Sequence, residues 1–393
     1  MTTDAAHQRD LIRARGAVFA LFASFGVVIA TWAVHLPSVK DATGISTSRL
    51  GLVLLVLGIG AITGMQLSGL LIDRLGSSRI AVIGVAAMAI ALPAPLAMHS
   101  WWGVLAGALV LGVATGIGEV GINAAAVDVE RDYSRPIMGS FHAVFSVGNV
   151  VGALLGAACF ALSVGVLATA IAVSVLALVA VSTAAGVLSS RIVVSQPNAD
   201  AHDVAEPEPS QPPIWRVALL GVLAFLLLLA EGSAMDWSSL HSQQHLGASP
   251  STGALALGCF VAAMTIGRFR VDRIAERVGA VRTVRWGSAA AAAGIALVVV
   301  SPVLPLTLIG WAVLGLGLSG GVPQVFTAAG NLTGSAGKSL SRVVGTGYVA
   351  ILAGPGLIGW LADLLSLDCA FLLPLCGVLI CACAARTVAP APP

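Results

Sequence analysis

Residues 16–32 read GAVFALFASFGVVIATW, a run with no charged side chain, and Arg9, Arg13 and Arg15 stand just before it. About 18 or more apolar residues, at roughly 1.5 Å each, reach across the hydrocarbon of a bilayer. Working outward, eleven further stretches of this kind follow. The expected spans are 16–36, 49–71, 79–98, 101–128, 137–161, 163–188, 215–240, 252–271, 280–300, 303–329, 342–363 and 368–387. Composition agrees, since 58% of the residues are hydrophobic and 10% charged, against about 25% charged in soluble domains. The 45 glycines suit closely packed membrane helices. The expected fold class is an all-α polytopic membrane protein with twelve transmembrane helices in two six-helix bundles. The opening run resembles a secretory signal, but it is longer than a signal h-region and eleven spans follow it. It is read as an uncleaved first helix.

Charge sets the expected orientation. With the amino terminus inside, 18 of the 20 basic residues fall in inside segments, among them Arg135, Arg191, Arg268 and Lys338, and only Lys40 and Arg49 lie outside. The positive-inside rule then puts both termini in the cytoplasm of a cell whose inner membrane the chain crosses many times. The net charge of +2 reports this asymmetry, so no nucleic-acid partner is expected. The six cysteines suggest no disulfide framework. Cys381 and Cys383 point about 200° apart on a helix, a poor chelate. No metal and no cofactor are expected. The sequence has no Walker loop and no nucleophile spaced with a base, which argues against ATP-driven pumping and against an enzyme.

One segment breaks the apolar pattern. SQPNADAHDVAEPEPSQPP (195–213) is rich in proline and acids, and it reads as a flexible cytoplasmic linker. The expected organisation is a cytoplasmic amino terminus (1–15), a six-helix bundle (16–188), a linker (189–214), a second bundle (215–387) and a cytoplasmic tail (388–393). The halves also repeat. GISTS (44–48) answers GASPSTG (247–253), Gly64 answers Gly267, and DRLG (73–76) answers ERVG (276–279) at an offset of 203. Such repeats mark secondary transporters.

GLLIDRLGSSR (69–79) resembles the loop motif of the major facilitator superfamily, and GRFRVDRIAERVG (267–279) is an irregular second copy with Val271 at a usual glycine position. GINAAAVDVERDYSRPIMGSFHAVFSVGNVVGA, EGSAMDWSS and GYVAILAGPGLIGWLAD are similar to the YbjJ/MosC-like branch of that superfamily. The resemblance covers nearly the whole chain. It implies a twelve-helix transporter working by alternating access, with a sugar-like or inositol-derived solute suggested by the rhizopine-associated members. In the loop motif, Gly69, Asp73, Arg74 and Gly76, with Asp272, Arg273, Glu276 and Arg277 in the second copy, are expected to gate. A carboxylate at a helix end can bond neighbouring inside loops and helix termini in one rocked state only. The competing reading is positive-inside decoration around a turn glycine.

No Lys or Arg is expected deep in a span, so the deep acids carry the functional expectation. A charge at mid-bilayer costs about 2.5–3.5 kcal/mol on insertion scales and is retained where it faces a cavity or partner. Spans four and five form an antiparallel hairpin, and level counting sets Glu119 and Asn123 beside His142, Ser146 and Asn149 as two polar stripes. These are read as cavity wall or buried network, with Glu119 a proton carrier and His142 a possible relay. In span seven, LLLLAEGSAMDWSS (226–239) carries Glu231 and Asp236. Glu231 is expected in the outer leaflet as proton carrier or substrate anchor, and Asp236 at the outer interface, about 140° round the helix. Gly232 and Ser233 offer a helix break that could reunite them. Trp237 and Trp32 fit an aromatic belt or a stacking platform at the outer mouth. Gln324 and Tyr348 fit the cavity lining, and AGPGLIG (353–359) a hinge.

The leading expectation is a secondary active transporter, proton-coupled and monomeric, that moves a small polar or amphipathic solute in the lipid bilayer. The alternatives are a proton-antiport drug or metabolite exporter, and a non-transporting membrane receptor. Span five, SVGNVVGALLG, lacks the Gly-Pro pattern frequent in facilitator antiporters, which weighs against the exporter.

Overall fold

The computed structural model describes residues 2–133, 137–188, 214–332 and 336–389. Arg135, Arg191 and the expected linker lie outside these residues, as do the side chains of Lys338 and Asp272. Among the described residues there is no strand. The first half runs α1 (Thr2–Val34), α2 (Leu36–Thr43), α3 (Thr47–Leu75), α4 (Ser77–Ala91), α5 (Pro93–Ala97), α6 (Trp101–Tyr133), α7 (Met138–Ala161) and α8 (Val166–Leu188). The second runs α9 (Ile214–Leu246), α10 (Pro250–Val278), α11 (Ala280–Val300), α12 (Leu304–Leu318), α13 (Gly321–Gly330), α14 (Ala336–Leu364), α15 (Leu367–Ala370) and α16 (Leu372–Ala384). Counting α4 with α5, α12 with α13 and α15 with α16, twelve spans among the described residues are long and apolar enough to cross a membrane.

The chain divides into two compact units. One is drawn from Met1–Ser195 with Ser249–Gly258, the other from Gln196–Ala248 with Cys259–Pro393. The opening turns of α10 therefore group with the first unit, unlike the expected block of 215–387. In the first unit α6 packs along α3 and α4, while α1 packs along α7 and α8. In the second, α9 packs along α14 and α16, and α11 along α12 and α16.

Glycines decide which helices meet. Hydrocarbon gives no hydrophobic drive for helix pairing, so close backbone approach through small residues supplies the contact energy. On α6, Gly112 and Gly116 sit against the backbone of Leu57 and Ala61 on α3, and a Cβ at either would strike a carbonyl oxygen. On the other side of α6, Gly121 lies against Ala81 of α4, where an added Cβ would come within 2.6 Å of the backbone nitrogen. Gly148 and Gly152 of α7 press on Ala23 and Val27 of α1 in the same way. The second unit uses Gly294 and Gly317 for its α11–α12 seam.

The internal repeat is built into the backbone. Gly44 and Gly247 take φ of 63° and 61°, and Gly76 and Gly279 take 84° and 85°, each pair 203 residues apart. These left-handed values are open to glycine without steric strain. Ser46 caps α3 by accepting from Arg49 N at 3.3 Å, and Ser249 accepts from Thr252 N at 3.3 Å, again 203 apart.

The helix breaks fall elsewhere than expected. Span seven is continuous through Gly232 and Ser233, and the Ser233 hydroxyl donates to Leu229 O at 2.6 Å inside the helix. One interior glycine costs only about 1 kcal/mol, too little to break a packed helix. Span one breaks instead, between α1 and α2, where Pro37 removes a donor. Span ten breaks at Ser319–Gly320, and Pro355 lies inside the unbroken α14, so the expected hinge at 353–359 is a continuous helix.

Two substitutions test this packing. Gly116→Val should destabilise the detergent-purified protein by about 1–3 kcal/mol through overpacking against α3. Gly232→Ala, with open space at its Cβ, should be neutral or stabilising. Thermal melts of the two variants check both.

Candidate functional site

In the second unit the structure joins two charges that the sequence keeps apart. Glu231 Oε1 accepts from Arg268 Nη2 at 2.8 Å, linking α9 to α10. Arg268 stands 18 residues into α10, three residues before the end of the apolar span Pro250–Val271. Glu231 lies 15 residues before the end of α9, so the two are level across the Gly247–Ser249 turn. Counting levels about this turn finds the pair from sequence.

α9 has 33 residues, so it is about 50 Å long, and Glu231 is near its midpoint. Asp236 sits ten residues before the helix terminus, half-buried, with no hydrogen bond or ion pair among the described residues. Hydropathy ends span seven near 240 because SSLHSQQHL is polar. The helix continues because those side chains find partners. Ser242 Oγ donates to Ser238 O at 3.1 Å, and His245 Nε2 lies 2.9 Å from Ser301 O. With α9 unbroken, the angular separation of Glu231 and Asp236 stands, and they do not form a dyad.

Trp32 and Trp237 are both buried, Trp237 with 0% exposure, which removes them from an aromatic belt. A ring with no free surface cannot meet headgroups, and it offers no open face for stacking. The exposed tryptophans are Trp102, Trp215, Trp286 and Trp360. Trp102 and Trp215 open α6 and α9, where a belt residue belongs. Gln324 is half-buried on α13, and Tyr348 is exposed on α14.

In the first unit the two polar stripes do not become one network. Asn123 Nδ2 donates to the backbone oxygen of Glu119 at 2.8 Å, Ser146 Oγ to His142 O at 3.1 Å, and Asn149 Nδ2 to Phe145 O at 3.4 Å. Each bond returns to the preceding turn of its own helix. The reason is the glycine pattern, which holds α6 on α3 and α4 and α7 on α1, leaving little contact between α6 and α7. Glu119 is half-buried, and its carboxyl has no hydrogen bond or ion pair among the described residues. Ser146 and Asn149 are buried, and Asn149 Oδ1 is unpartnered. His142 is exposed, its ring edge-on to Phe22 at 5.6 Å.

In the loop motif, Gly69, Asp73, Arg74 and Gly76 are exposed, and neither Asp73 nor Arg74 bonds another described residue. The loop is tied instead by Ser77, whose hydroxyl donates to Asp128 near the end of α6, and Asp128 also pairs with Arg131 at 3.7 Å. In the second copy Arg273, Glu276 and Arg277 are exposed. In the first unit, Glu130 accepts the backbone N–H groups of Ile137 and Met138 at 2.6 Å each. A carboxylate there satisfies donors at the start of α7.

A further cluster was not anticipated. His241 and His245 of α9 face Asp368 of α15, with Nε2 to Oδ1 at 2.7 Å and Nδ1 to Oδ2 at 3.0 Å. Two histidines four apart in HSQQH are the sequence signal that would have found it. In the first unit, His35 follows α1, and its Nδ1 lies 2.7 Å from Thr31 O. The cysteines are free, with Cys381 buried and Cys383 exposed, as two residues on opposite helix faces must be.

If the Glu231–Arg268 contact is a working ion pair, a double-mutant cycle with Glu231→Gln and Arg268→Gln should return a coupling on the order of 1 kcal/mol in melting experiments, kept modest by the 37% exposure of Arg268. Additive effects of the two changes would show that the contact carries no energy.

Comparison with known proteins places this geometry. The family model described as Major Facilitator Superfamily matches residues 17–240 and 220–393. An uncharacterised MFS-type transporter of Yersinia pestis is 34% identical over 92% of this chain and 92% of its own length. The membrane protein MosC of Rhizobium meliloti is 28% identical over 91% of this chain and 86% of its own. Among solved structures, the nucleoside transporter NupG superposes with a TM-score of 0.71 at 14% identity, covering 96% of this chain and 98% of that one. That likeness concerns the fold.

Proposed function

The chain belongs to the Major Facilitator Superfamily and is a membrane transporter, and we propose that it is a secondary active transporter moving a small polar or amphipathic solute by alternating access, coupled to protons. The observation that carries the reading is the Glu231–Arg268 pair at the midpoint of α9. An ion pair within membrane spans is costly to assemble and is retained where it serves a pathway. Protonation of Glu231 releases Arg268, and a bound solute with an acidic or hydroxyl group can take the place of either partner. Glu119 is the complementary group of the first unit. It is a carboxyl in an apolar helix with no ion partner among the described residues, suited to hand a proton on without first breaking a salt bridge.

The loop residues Asp73, Arg74, Arg273, Glu276 and Arg277 are the gating elements in this proposal, open in the present state to bond in another. Both termini are placed in the cytoplasm of the bacterial inner membrane, on the strength of the basic-residue asymmetry. The 16–188 and 215–387 blocks are proposed as the bundles that rock. The continuous α7, without a proline, favours this reading over a drug exporter.

Flux in reconstituted vesicles tests the proposal. With an imposed pH gradient and a screen of polyols, sugars, nucleosides and amphipathic drugs, Glu119→Gln and Glu231→Gln should each lose gradient-driven uptake by about tenfold or more, the loss of an essential proton-transfer group, while counterflow without a gradient persists in Glu119→Gln. Uphill transport at the wild-type rate in both variants would sink the coupling assignment.

A further inference from the structure

The end of the second unit where α9, α11 and α15 converge holds a cluster that the transport reading leaves unused. His241 and His245 stack at 5.1 Å between ring centroids, and each ring faces a different oxygen of Asp368. Proton counting shows what the cluster lacks. His245 Nε2 lies 2.9 Å from Ser301 O, a carbonyl that only accepts, so Nε2 carries the hydrogen. A neutral ring then has only a lone pair on Nδ1, and that lone pair points at Asp368 Oδ2 from 3.0 Å. Two acceptors facing each other at that distance require a positive charge between or beside them, a proton or a metal ion.

His241 makes the same demand independently. Its side chain has 0% exposure, and neither ring nitrogen has a hydrogen bond. Nε2 stands 2.7 Å from Asp368 Oδ1, yet the two atoms are not aligned for a hydrogen bond, and Oδ1 is itself unpartnered. Trp311 and Phe371 close edge-on around the ring at 5.8 and 5.2 Å. One donor atom from each of His241, His245 and Asp368 lies within 4.8 Å of the others.

We propose that His241, His245 and Asp368 bind one divalent transition-metal ion of the zinc class and so tie the end of α9 to α15. Two imidazoles and a carboxylate are the donor set of Zn²⁺, Co²⁺ or Ni²⁺, whereas Mg²⁺ and Ca²⁺ prefer all-oxygen sites. The bond from His245 Nε2 to Ser301 O is the outer-shell support that fixes a ligating ring and leaves Nδ1 free for the ion. On the proposed topology the site lies on the extracytoplasmic side, away from the basic loops. It is independent of the Glu231–Arg268 pair.

The test uses full-length protein purified through a histidine-free tag, stripped with EDTA and then given CoCl₂ or ZnSO₄ alone. The expected result is one ion per chain after desalting, a visible Co²⁺ d–d spectrum, and a melting temperature raised by Zn²⁺ and lowered again by EDTA. Asp368→Asn and His245→Gln should weaken binding at least about tenfold, while His99→Gln, in the loop before α6, keeps it. The metal-dependent melting shift of the wild type stands as a readout even if a variant fails to fold. Absence of bound ion, with a melting temperature that follows pH but not metal, would overturn the site in favour of a protonated histidine–carboxylate pair. Binding that survives both ligand changes would overturn it equally.

Discussion

Hydrocarbon offers no hydrogen bonds, and every polar group carried into it must be satisfied from within the protein. This constraint organises the spans. Thr31, Thr115, Asn123, Ser146, Ser233 and Thr265 all return their side-chain donors to the carbonyl one turn back on their own helix. Polar residues so satisfied need no neighbour, and the helices are then free to pair by shape. Glycine seams supply that shape, and they pull α6 and α7 onto different partners.

The acids Glu119, Glu231, Asp236 and Asp368 are met in different ways. Glu231 is neutralised across two helices by Arg268, while Glu119 and Asp236 have no ion partner among the described residues. Asp368 is shared between two histidines. A paired acid has two states, joined and released, and can respond to a proton or a solute by exchanging one for the other. An unpaired acid has only its own proton to give up or hold. Asp73 and Glu276, in the two copies of the loop motif, are exposed.

Much of the fold was legible because its determinants act locally. Apolar runs mark the spans, since crossing hydrocarbon is a property of each segment alone. The left-handed glycines at 44, 76, 247 and 279 mark turns for the same reason, and they carry the repeat from sequence into backbone. Errors came where one local signal was weighed without its surroundings. SSLHSQQHL looks like the end of a span, yet α9 runs through it because Ser301 and Asp368 receive its polar side chains. Gly232 looks like a break, yet the packed helix absorbs it, and the break in span one falls at His35, just ahead of Pro37 in the first turn of α2.

The amino-acid sequence by itself determined the twelve helices, their membrane solvent, the half-chain repeat and the identity of the acids worth watching. Only the tertiary structure decided which of those acids are paired. His245 and Asp368 meet across 123 residues, and Glu231 and Arg268 across 37, through the rotation and seating of whole helices. Hydrophobicity, proline and glycine act on the chain within a few residues, so they can be read in order along it. An ion pair acts between surfaces that exist only after the helices have packed.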